Sequence, residues 1–489
     1  MAQHLSVNGK IISLQPDQPL AEALFLAGFP LERGCGGTGK CGKCQIELLS
    51  GTFISADKVL EITTPFRVKA CCTRQISENG AVYLPYSSVE KRTAPAIALS
   101  EKVPPDQTFI ALDAGTTNAA GMLVKNRKII RFLEKNNAQT ALGDNVIERI
   151  AFAAAPENRL LMEKHLREET LFPMLQELAA GEKIDQIIFS GNTVMTCFFF
   201  RADTAPLGVA PYRAPETGFY GTAGTLGIPG IAPETPVFAA PHVSGFIGGD
   251  VLSGLLAAGF GDPGCCQLFM DFGTNCEIVL NCRGRFFAAA AAAGPAFERG
   301  CGSIKSDHPV THVNFSQNRW CFTPGTDTPC DFTASALADL LFHLYQANCI
   351  DRFGRWLDQP EIFARMPELS NKLFADIITA KAAIAASWQI LLHRSGIHPE
   401  DIDSLILTGT FGSNLNTANA AGIGLIPDVP EEKIIRLPNG SLAGAALLSD
   451  PENRSRAEAL KNRIKPLDLT ADPAFAGSFA NAMTLERKN

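Results

Sequence analysis

A long hydrophobic run is the first feature that this sequence lacks. Its 489 residues contain no uninterrupted stretch of 18 apolar residues, which is about the length that a membrane-spanning helix needs. The apolar run Phe286–Ala293 lies between Arg285 and Gly294 and has only eight residues. We therefore expect no membrane association.

Positive charge is not in excess either. Lys and Arg number 43 against 50 Asp and Glu, and the formal net charge is −7, so we expect no nucleic-acid partner. No secretory signal precedes the 14 cysteines, which predicts a reducing, cytoplasmic compartment. The length predicts two to four domains.

Four cysteines near the N-terminus have an informative spacing. Cys35, Cys41 and Cys44 lie on a glycine-rich loop, and Cys71 follows after 26 intervening residues. Three thiols on a loop plus one distant thiol are typical of a [2Fe–2S] cluster, and glycines let backbone N–H groups approach the sulfurs. A zinc site usually has two Cys-x-x-Cys pairs, and this chain has one. Zinc and structural thiols are the alternatives, and because Cys72 adjoins Cys71 the residues alone leave the fourth ligand open.

Residues 1–85 have the pattern of a small α+β domain. A hairpin is predicted around Asn8-Gly9, a helix over 20–27, and strands over 45–48 and 81–84 after the cysteine loop. This order resembles the β-grasp fold of plant-type and adrenodoxin-type ferredoxins. The first cysteine spacing, with five intervening residues, resembles the adrenodoxin type.

Beyond a proline-containing linker, predicted over 86–107, a short motif occurs twice. Phe109–Asn118 and Leu268–Glu277 each carry an apolar strand followed by Asp-x-Gly-Thr, which indicates an internal repeat. A glycine turn after a strand brings backbone N–H groups to phosphate oxygens. Threonine hydroxyls add donors, and the aspartate can hold hydrated Mg²⁺. The Walker A sequence is absent, so this would be a different kind of phosphate site.

A third glycine-rich turn follows the strand Leu405–Leu407, and a helix is predicted near Leu415. Glycine there permits the backbone to lie against adenine or ribose, and the helix N-terminus adds a positive end. The three motifs resemble the phosphate-1, phosphate-2 and adenosine motifs of the actin, Hsp70 and sugar-kinase superfamily. The resemblance implies two catalytic carboxylates, Asp113 and Asp271. It implies the following nucleotide-binding residues: Gly115, Thr116, Thr117, Gly273, Thr274, Asn275, Gly409, Thr410, Gly412 and Ser413.

The whole chain resembles one family in which a cluster domain and such an ATPase domain are joined: the reductive activators of corrinoid proteins. The resemblance rests on many short segments besides the motifs above. They are 143–150, 190–195, 248–250, 294–298, 380–384, 411–414, 442–445, 472–475 and 479–483.

This resemblance implies the fold. A β-grasp [2Fe–2S] domain at 1–85 would precede a two-lobed α/β actin-like ATPase domain, with ribonuclease H-like lobes, at 108–489. The lobes would span about 108–255 and 256–449, with a C-terminal extension at 450–489. The context of Cys71 matches the last cluster ligand of the family, so the implied metal ligands are Cys35, Cys41, Cys44 and Cys71.

The resemblance also implies an activity: ATP-dependent transfer of one electron from the cluster to Co(II) of a corrinoid protein, giving Co(I), in a methyltransferase system. Its cofactors would be the [2Fe–2S] cluster, ATP and Mg²⁺. Its partners would be the corrinoid protein and an unidentified low-potential electron donor, and the resemblance also allows a homodimer. The alternatives are an ATP-binding iron–sulfur redox sensor, an activator of another metalloenzyme, and a small-molecule kinase. We expect a kinase least, because the sequence marks no general base beside an acceptor hydroxyl.

Overall fold

The computed structural model describes most of the chain outside the cysteine loop and the linker. The described residues are 3–7, 10–27, 31, 44–56, 58–83, 99, 103–215, 218–297, 309–326, 329, 331–364, 366 and 368–487. Cys35, Cys41 and the Asn8-Gly9 turn lie outside these ranges, as does most of the predicted linker.

The N-terminal domain is built around one mixed sheet. Its elements are β1 (Gln3–Val7), β2 (Lys10–Leu14), α1 (Leu20–Leu26), β3 (Gln45–Ser55), β4 (Lys58–Ile62), β5 (Phe66–Lys69), β6 (Thr73–Gln75) and β7 (Asn79–Tyr83). β1 pairs antiparallel with β2 and parallel with β7, and β3 pairs with β4, β5, β6 and β7. Leu20 and Leu24 of α1 are buried in one core with the inner residues of the strands. The predicted hairpin, helix and returning strand are confirmed, whereas β3 is longer than predicted.

The first lobe of the second domain also has a mixed sheet. Its elements are β8 (Thr108–Ala114), β9 (Asn118–Lys125), β10 (Lys128–Asn136), α2 (Val146–Phe152), α3 (Pro156–Lys164), α4 (Phe172–Ala179), β11 (Gln186–Gly191), α5 (Thr193–Phe200), β12 (Tyr220–Thr222), β13 (Pro236–Ala239) and α6 (Gly249–Ala257). The strand order is β10-β9-β8-β11-β13-β12. Val103, at the end of the predicted linker, is fully buried in this lobe, so the chain is attached before β8 begins.

The second lobe follows directly. Its elements are β14 (Cys266–Phe272), β15 (Cys276–Cys282), β16 (Arg285–Ala291), β17 (His312–Ser316), β18 (Arg319–Thr323), α7 (Ala334–Gln346), α8 (Glu361–Ala364), α9 (Asn371–Ser395), β19 (Ser404–Thr408), α10 (Gly409–Ser413), α11 (Thr417–Gly422), β20 (Ile434–Leu437), α12 (Gly440–Leu447), α13 (Pro451–Arg463), β21 (Ile464–Pro466) and α14 (Phe475–Ala482). The sheet order is β20-β19-β14-β15-β16-β21, and β17 and β18 form a separate hairpin.

Five strands of each six-stranded sheet share one topology. In each, three consecutive strands form an antiparallel meander, and the first of them pairs parallel with a later strand: β8 with β11, and β14 with β19. The sixth strands differ, since β12 pairs with β13 and β21 pairs with β16. β8 and β14 are apolar and buried almost throughout, as expected for central strands covered on both faces. The predicted repeat of the Asp-x-Gly-Thr motif is therefore a repeat of five strands of the sheet.

Two short helices lie between the sheets, each on the sheet of the other lobe. Val251, Leu252 and Leu255 of α6 share a core with Phe269 and Ile406 of the second sheet. In α12, Leu442, Ala445 and Ala446 share a core with Phe109, Ala111 and Ile188 of the first sheet. The helices approach so closely that a Cβ built on Gly444 would lie 1.8 Å from the carbonyl oxygen of Ser253. Gly444 is thus required by the contact that joins the lobes.

The C-terminal extension is part of the second lobe. β21 pairs with β16, α14 packs on α9, and the buried Lys381 of α9 donates from Nζ to the carbonyl oxygen of Thr484 at 2.7 Å. Of the described helices, only α9 is long and apolar enough to cross a membrane, but 78% of its apolar window is buried inside the protein. These contacts make α9 a core helix of this lobe.

We predict that Gly444→Ala destabilises the protein, because the methyl group meets backbone atoms of α6 and the two helices must separate. Overpacking of this kind costs about 1–3 kcal/mol or more. Gly477→Ala is the matched control, since a Cβ there meets no heavy atom within 4 Å and alanine favours the helix by about 1 kcal/mol. Thermal unfolding measures both variants, and an equal melting temperature for the two would contradict the prediction.

Candidate functional site

Two hairpin turns carry the predicted phosphate motifs. Asp113 and Asp271 are the penultimate residues of β8 and β14, and each is half-buried. The Gly115 N–H donates to the carbonyl oxygen of Asn118 at 2.9 Å, and the Gly273 N–H donates to that of Asn275 at 2.8 Å. The glycine amides therefore close the two turns.

Polar side chains from other elements hold the first turn in place by hydrogen bonds. Arg149 is fully buried and donates from Nη2 to the carbonyl oxygen of Thr116 at 2.6 Å. Asn137 donates from Nδ2 to the carbonyl oxygen of Gly115 at 2.9 Å, and its backbone N–H donates to that of Thr117 at 2.8 Å. Asn192 donates to Thr116 Oγ1 at 3.3 Å. The segment around Arg149 thus positions the predicted phosphate-1 turn.

The third motif packs on the second turn. Gly409 has a φ of +80°, and a Cβ there would lie 2.2 Å from the carbonyl oxygen of Phe272, which directly precedes Gly273. Gly412 lies against the Phe272 ring. These glycines allow the third motif to pack beside the second. The role expected from the sequence was a different one, close approach of the backbone to adenine or ribose. The exposed Thr410 and half-buried Ser413 lie in α10, a short helix that begins at Gly409 and was not predicted. The helix predicted near Leu415 is α11, which begins at Thr417.

Three carboxylates share the cleft between the sheets. Burial raises the pKa of Asp271 to about 8, and repulsion from Asp250 and then Asp113 adds to the shift. Burial also raises the pKa of Asp113 to about 7, with added repulsion from Asp250 and Glu134, although a hydrogen bond from Ser441 opposes the shift. Burial and mutual repulsion both disfavour full ionisation of these carboxylates, and a cation bound nearby would offset both costs.

Asp250 is the member of this group that the sequence motifs did not single out. It lies in the first turn of α6, and burial raises its pKa to about 6, although backbone N–H donors, first that of Val251, oppose the shift. The signal for it in the sequence is Gly248-Gly249-Asp250 ahead of an apolar helix. A carboxyl group with a pKa near 6 is mostly ionised at neutral pH and can accept a proton, so Asp250 has the protonation behaviour that a general base requires.

The N-terminus of α12 contacts Asp113 and the end of β19, the strand that pairs with the strand of Asp271. Ser441 Oγ donates to Asp113 Oδ1 at 2.8 Å. The backbone N–H of Gly440 donates to Thr408 Oγ1 at 3.3 Å, and Thr408 is the register partner of Asp271. Neither Gly440 nor Ser441 was expected at the site.

Three sulfurs converge in the N-terminal domain. Cys44 Sγ donates to Cys71 Sγ at 3.1 Å, and Cys72 Sγ lies 3.7 Å from Cys71 Sγ. Burial, followed by contact with Cys44 and then Cys72, raises the pKa of Cys71. Thiols crowded in this way ionise together only beside a positive centre, so Cys44 and Cys71 fit an iron–sulfur cluster. The predicted ligands Cys35 and Cys41 lie outside the described residues.

Four of the other described cysteines, Cys197, Cys266, Cys276 and Cys282, are buried. Cys276, the first residue of β15, belongs to the core of the second lobe. No group of three or more metal-ligating side chains occurs among the residues that the structure describes.

The fold and the site define a class of protein in which a 2Fe–2S iron–sulfur cluster binding domain is joined to an ASKHA domain, the type shared by actin and sugar kinases. The family model of the 2Fe–2S iron–sulfur cluster binding domain matches residues 5–75. The C-terminal domain of RACo, the ASKHA domain, matches residues 266–489, and the RACo middle region matches 109–262. The two RACo models together account for most of the chain, and the chain belongs to this family of reductive activators of corrinoid proteins.

Individual relatives agree with this assignment. The corrinoid activation enzyme RamQ of Eubacterium limosum is 25% identical over 415 residues, which cover 76% of this chain and 69% of that protein. The [Co(II) methylated amine-specific corrinoid protein] reductase of Methanosarcina barkeri is 22% identical over 385 residues, 68% of each chain. Among solved structures, a reductive activator for corrinoid, iron–sulfur protein superposes with a TM-score of 0.69 at 22% identity, over 100% of this chain and 99% of that one. The last comparison establishes the shared fold, and the predicted fold class is confirmed.

We predict that the nucleotide-free protein loses thermal stability as the pH rises from about 4 to about 8. The carboxylates of Asp113, Asp250 and Asp271 have folded-state pKa values of about 7, 6 and 8, above their unfolded value of about 4. Over this range the unfolded state loses protons that the folded state retains, so the stability is full below about pH 4, falls until each folded-state pKa is passed and changes little above that. Asp250→Asn should flatten the decline, and a decline as steep in Asp250→Asn as in the wild type would contradict the shared-charge interpretation.

We also predict that Cys71→Ser removes or strongly alters the visible absorption of the cluster, whereas Cys72→Ser leaves it in place. The reason is that Cys71 Sγ lies 3.1 Å from Cys44 Sγ, whereas Cys72 Sγ lies 3.7 Å from Cys71 Sγ. Absorption and electron paramagnetic resonance spectra of the purified variants measure this. The opposite pattern would make Cys72 the fourth ligand.

Proposed function

We propose that this protein reactivates a corrinoid protein by ATP-dependent reduction of Co(II) to Co(I). The observation that carries the proposal is the presence, in one chain, of a thiol cluster fit for iron and a cleft where Asp113, Asp250 and Asp271 repel one another. The names of the relatives from Eubacterium limosum and Methanosarcina barkeri support the corrinoid protein as the partner. The protein would act in the cytoplasm, with a low-potential donor still to be identified.

The cluster would be held by Cys35, Cys41, Cys44 and Cys71, and when bound it supplies one electron at a potential near −400 mV. We expect the Co(II)/Co(I) couple of the substrate to lie lower. Each 59 mV of such a gap disfavours the transfer by a factor of about ten. An input of free energy is therefore needed, and it accounts for an ATPase domain in the same chain.

The cleft residues would bind and orient the nucleotide. Asp113 and Asp271 would hold Mg²⁺, while donors from the turns at Thr116, Thr117, Thr274 and Asn275 would face the phosphates. Gly409, Thr410, Gly412 and Ser413 lie beside the second turn and would form the wall for the adenosine. Support for this arrangement comes from the hydrogen bonds and glycine contacts that bring the three motifs together.

Asp250 would act as the general base for the attacking water. Its raised pKa, about 6, suits a group that must be ionised before the reaction and accept a proton during it. The same residue would serve a kinase, for which the base would deprotonate an acceptor hydroxyl. A small-molecule kinase is therefore the second candidate function, although such a kinase has no need of the N-terminal cysteines.

We predict that Asp113→Ala abolishes ATP turnover and leaves the cluster spectrum unchanged, because Asp113 lies in the cleft and not in the N-terminal domain. Cys44→Ser should have the reverse effect: it should bleach the cluster and leave ATP binding unchanged. Both should fail to produce the Co(I) absorption band when reduced protein and ATP are mixed with a Co(II) corrinoid protein encoded nearby. If the wild type never forms Co(I) with such a partner, the proposed function is wrong.

If turnover instead requires a small hydroxylic acceptor and yields its phosphate ester, the kinase is the correct function. If ATP is bound but neither reaction occurs, the protein is a redox sensor. Genome neighbourhood identifies the corrinoid proteins to be tried first.

A further inference from the structure

Asp113 is held by a hydroxyl group that reaches it from the far end of the chain. Ser441 Oγ lies 2.8 Å from Asp113 Oδ1 and donates to it across a sequence separation of 328 residues. Ser441 is 8% exposed, so water competes little for this hydrogen bond. A hydrogen bond to a buried carboxylate fixes the rotamer of the side chain and leaves its other oxygen as an acceptor.

A second serine supports Ser441 from behind. Ser190, the register partner of Asp113 on β11, has its Oγ 2.9 Å from Ser441 Oγ and 3.0 Å from Ser253 Oγ on α6. Ser190 and Ser253 are fully buried. The hydroxyl of Ser441 is thus confined by protein groups on two sides, Asp113 in front and Ser190 behind.

The helix that carries Ser441 belongs structurally to both lobes. It follows β20 of the second sheet, yet its apolar face packs on the first sheet. The residue before Ser441, Gly440, donates from its backbone N–H to Thr408 Oγ1, beside Asp271. Two consecutive residues at one helix start therefore bond to the strand end of Asp113 and to the neighbour of Asp271.

This placement has a mechanical consequence. If the two sheets shift relative to each other, the start of α12 must move against at least one of the two strand ends. The close contact between Gly444 and Ser253 limits how α12 can move against α6, which carries Asp250. The hydrogen bond of Asp113 and the position of Asp250 are therefore both tied to this pair of helices.

We propose that Ser441 is a positioning residue for the cation and nucleotide: its hydroxyl, confined by Ser190, orients Asp113 and links that orientation to the α6–α12 contact between the lobes. The inference rests on the proposed nucleotide site and goes beyond it, because Ser441 acts through Asp113 and lies outside the three sequence motifs. Its ligand class is a nucleoside di- or triphosphate with a hydrated divalent cation.

The test is the Mg²⁺ dependence of ADP binding and of ATP hydrolysis, measured on the full-length protein. Hydrogen bonds to charged groups contribute about 1.5–3 kcal/mol, or roughly 10- to 100-fold in an equilibrium constant. We expect Ser441→Ala to raise the half-saturating Mg²⁺ concentration at least tenfold by calorimetry. ADP affinity in EDTA should change less than about twofold, and Ser441→Thr, which retains the hydroxyl, should restore most of the Mg²⁺ response.

Ser387→Ala is the matched control. Ser387 is fully buried in α9, and its hydroxyl donates to the carbonyl oxygen of Ala383 at 2.7 Å, away from the cleft. This variant loses a buried hydroxyl in the same way and should keep the wild-type Mg²⁺ response. Ser190→Ala should give an intermediate loss, because the hydroxyl of Ser441 then keeps one of its two neighbours.

The outcomes separate the inference from the proposed function. If the wild type binds ADP with a clear Mg²⁺ dependence and Ser441→Ala matches it, the positioning role is refuted and the proposed function stands. If Ser441→Ala lowers ADP affinity equally in Mg²⁺ and EDTA together with the melting temperature, Ser441 only packs the helix and the inference is again refuted. If the wild type shows no Mg²⁺-dependent ADP binding, both proposals fail.

Discussion

The contact between α6 and α12 is the constraint on which the second domain depends. Each helix lies on the sheet of the opposite lobe, so neither lobe has a complete core without the other. The backbones meet where Gly444 faces the carbonyl oxygen of Ser253, and no larger residue fits there. The same helices begin at the cleft, with Asp250 in one and Ser441 in the other. The packing that joins the lobes therefore also places the charged groups.

That placement has an electrostatic cost, which explains the chemistry of the cleft. Asp113, Asp250 and Asp271 are withdrawn from water and repel one another, and all three have raised pKa values. A protein gains nothing in stability from such a group. The arrangement is instead suited to binding a cation with a polyphosphate, whose arrival relieves the repulsion. The supporting polar residues below the first turn, Arg149 and Asn137 among them, hold the backbone in shape while the charges change.

The N-terminal domain also has ionisable side chains whose burial and proximity disfavour their charged forms, in this case thiols. Burial and then the neighbouring thiols raise the pKa of Cys71, and a metal centre would make the ionised thiols favourable. A one-electron carrier and a nucleotide cleft in one chain suit a reaction in which electron transfer is uphill and must be coupled to ATP. Membership of the reductive-activator family gives this coupling its proposed direction, toward the cobalt of a corrinoid protein.

The sequence by itself determined the features that depend on neighbouring residues: the strand–turn motifs at Asp113 and Asp271, the cysteine spacing, the β-grasp elements and the internal repeat. These are local patterns, because a turn after a buried strand needs glycine wherever the strand lies in the fold. Only the tertiary structure decided the rest. Ser441 meets Asp113 over 328 residues, and Arg149 supports Thr116 from another element; no local pattern marks either contact. The tertiary structure also explains why two positions must be glycine. A side chain at Gly409 would meet the backbone of Phe272, and one at Gly444 would meet the backbone of Ser253. No pattern of neighbouring residues reveals these contacts.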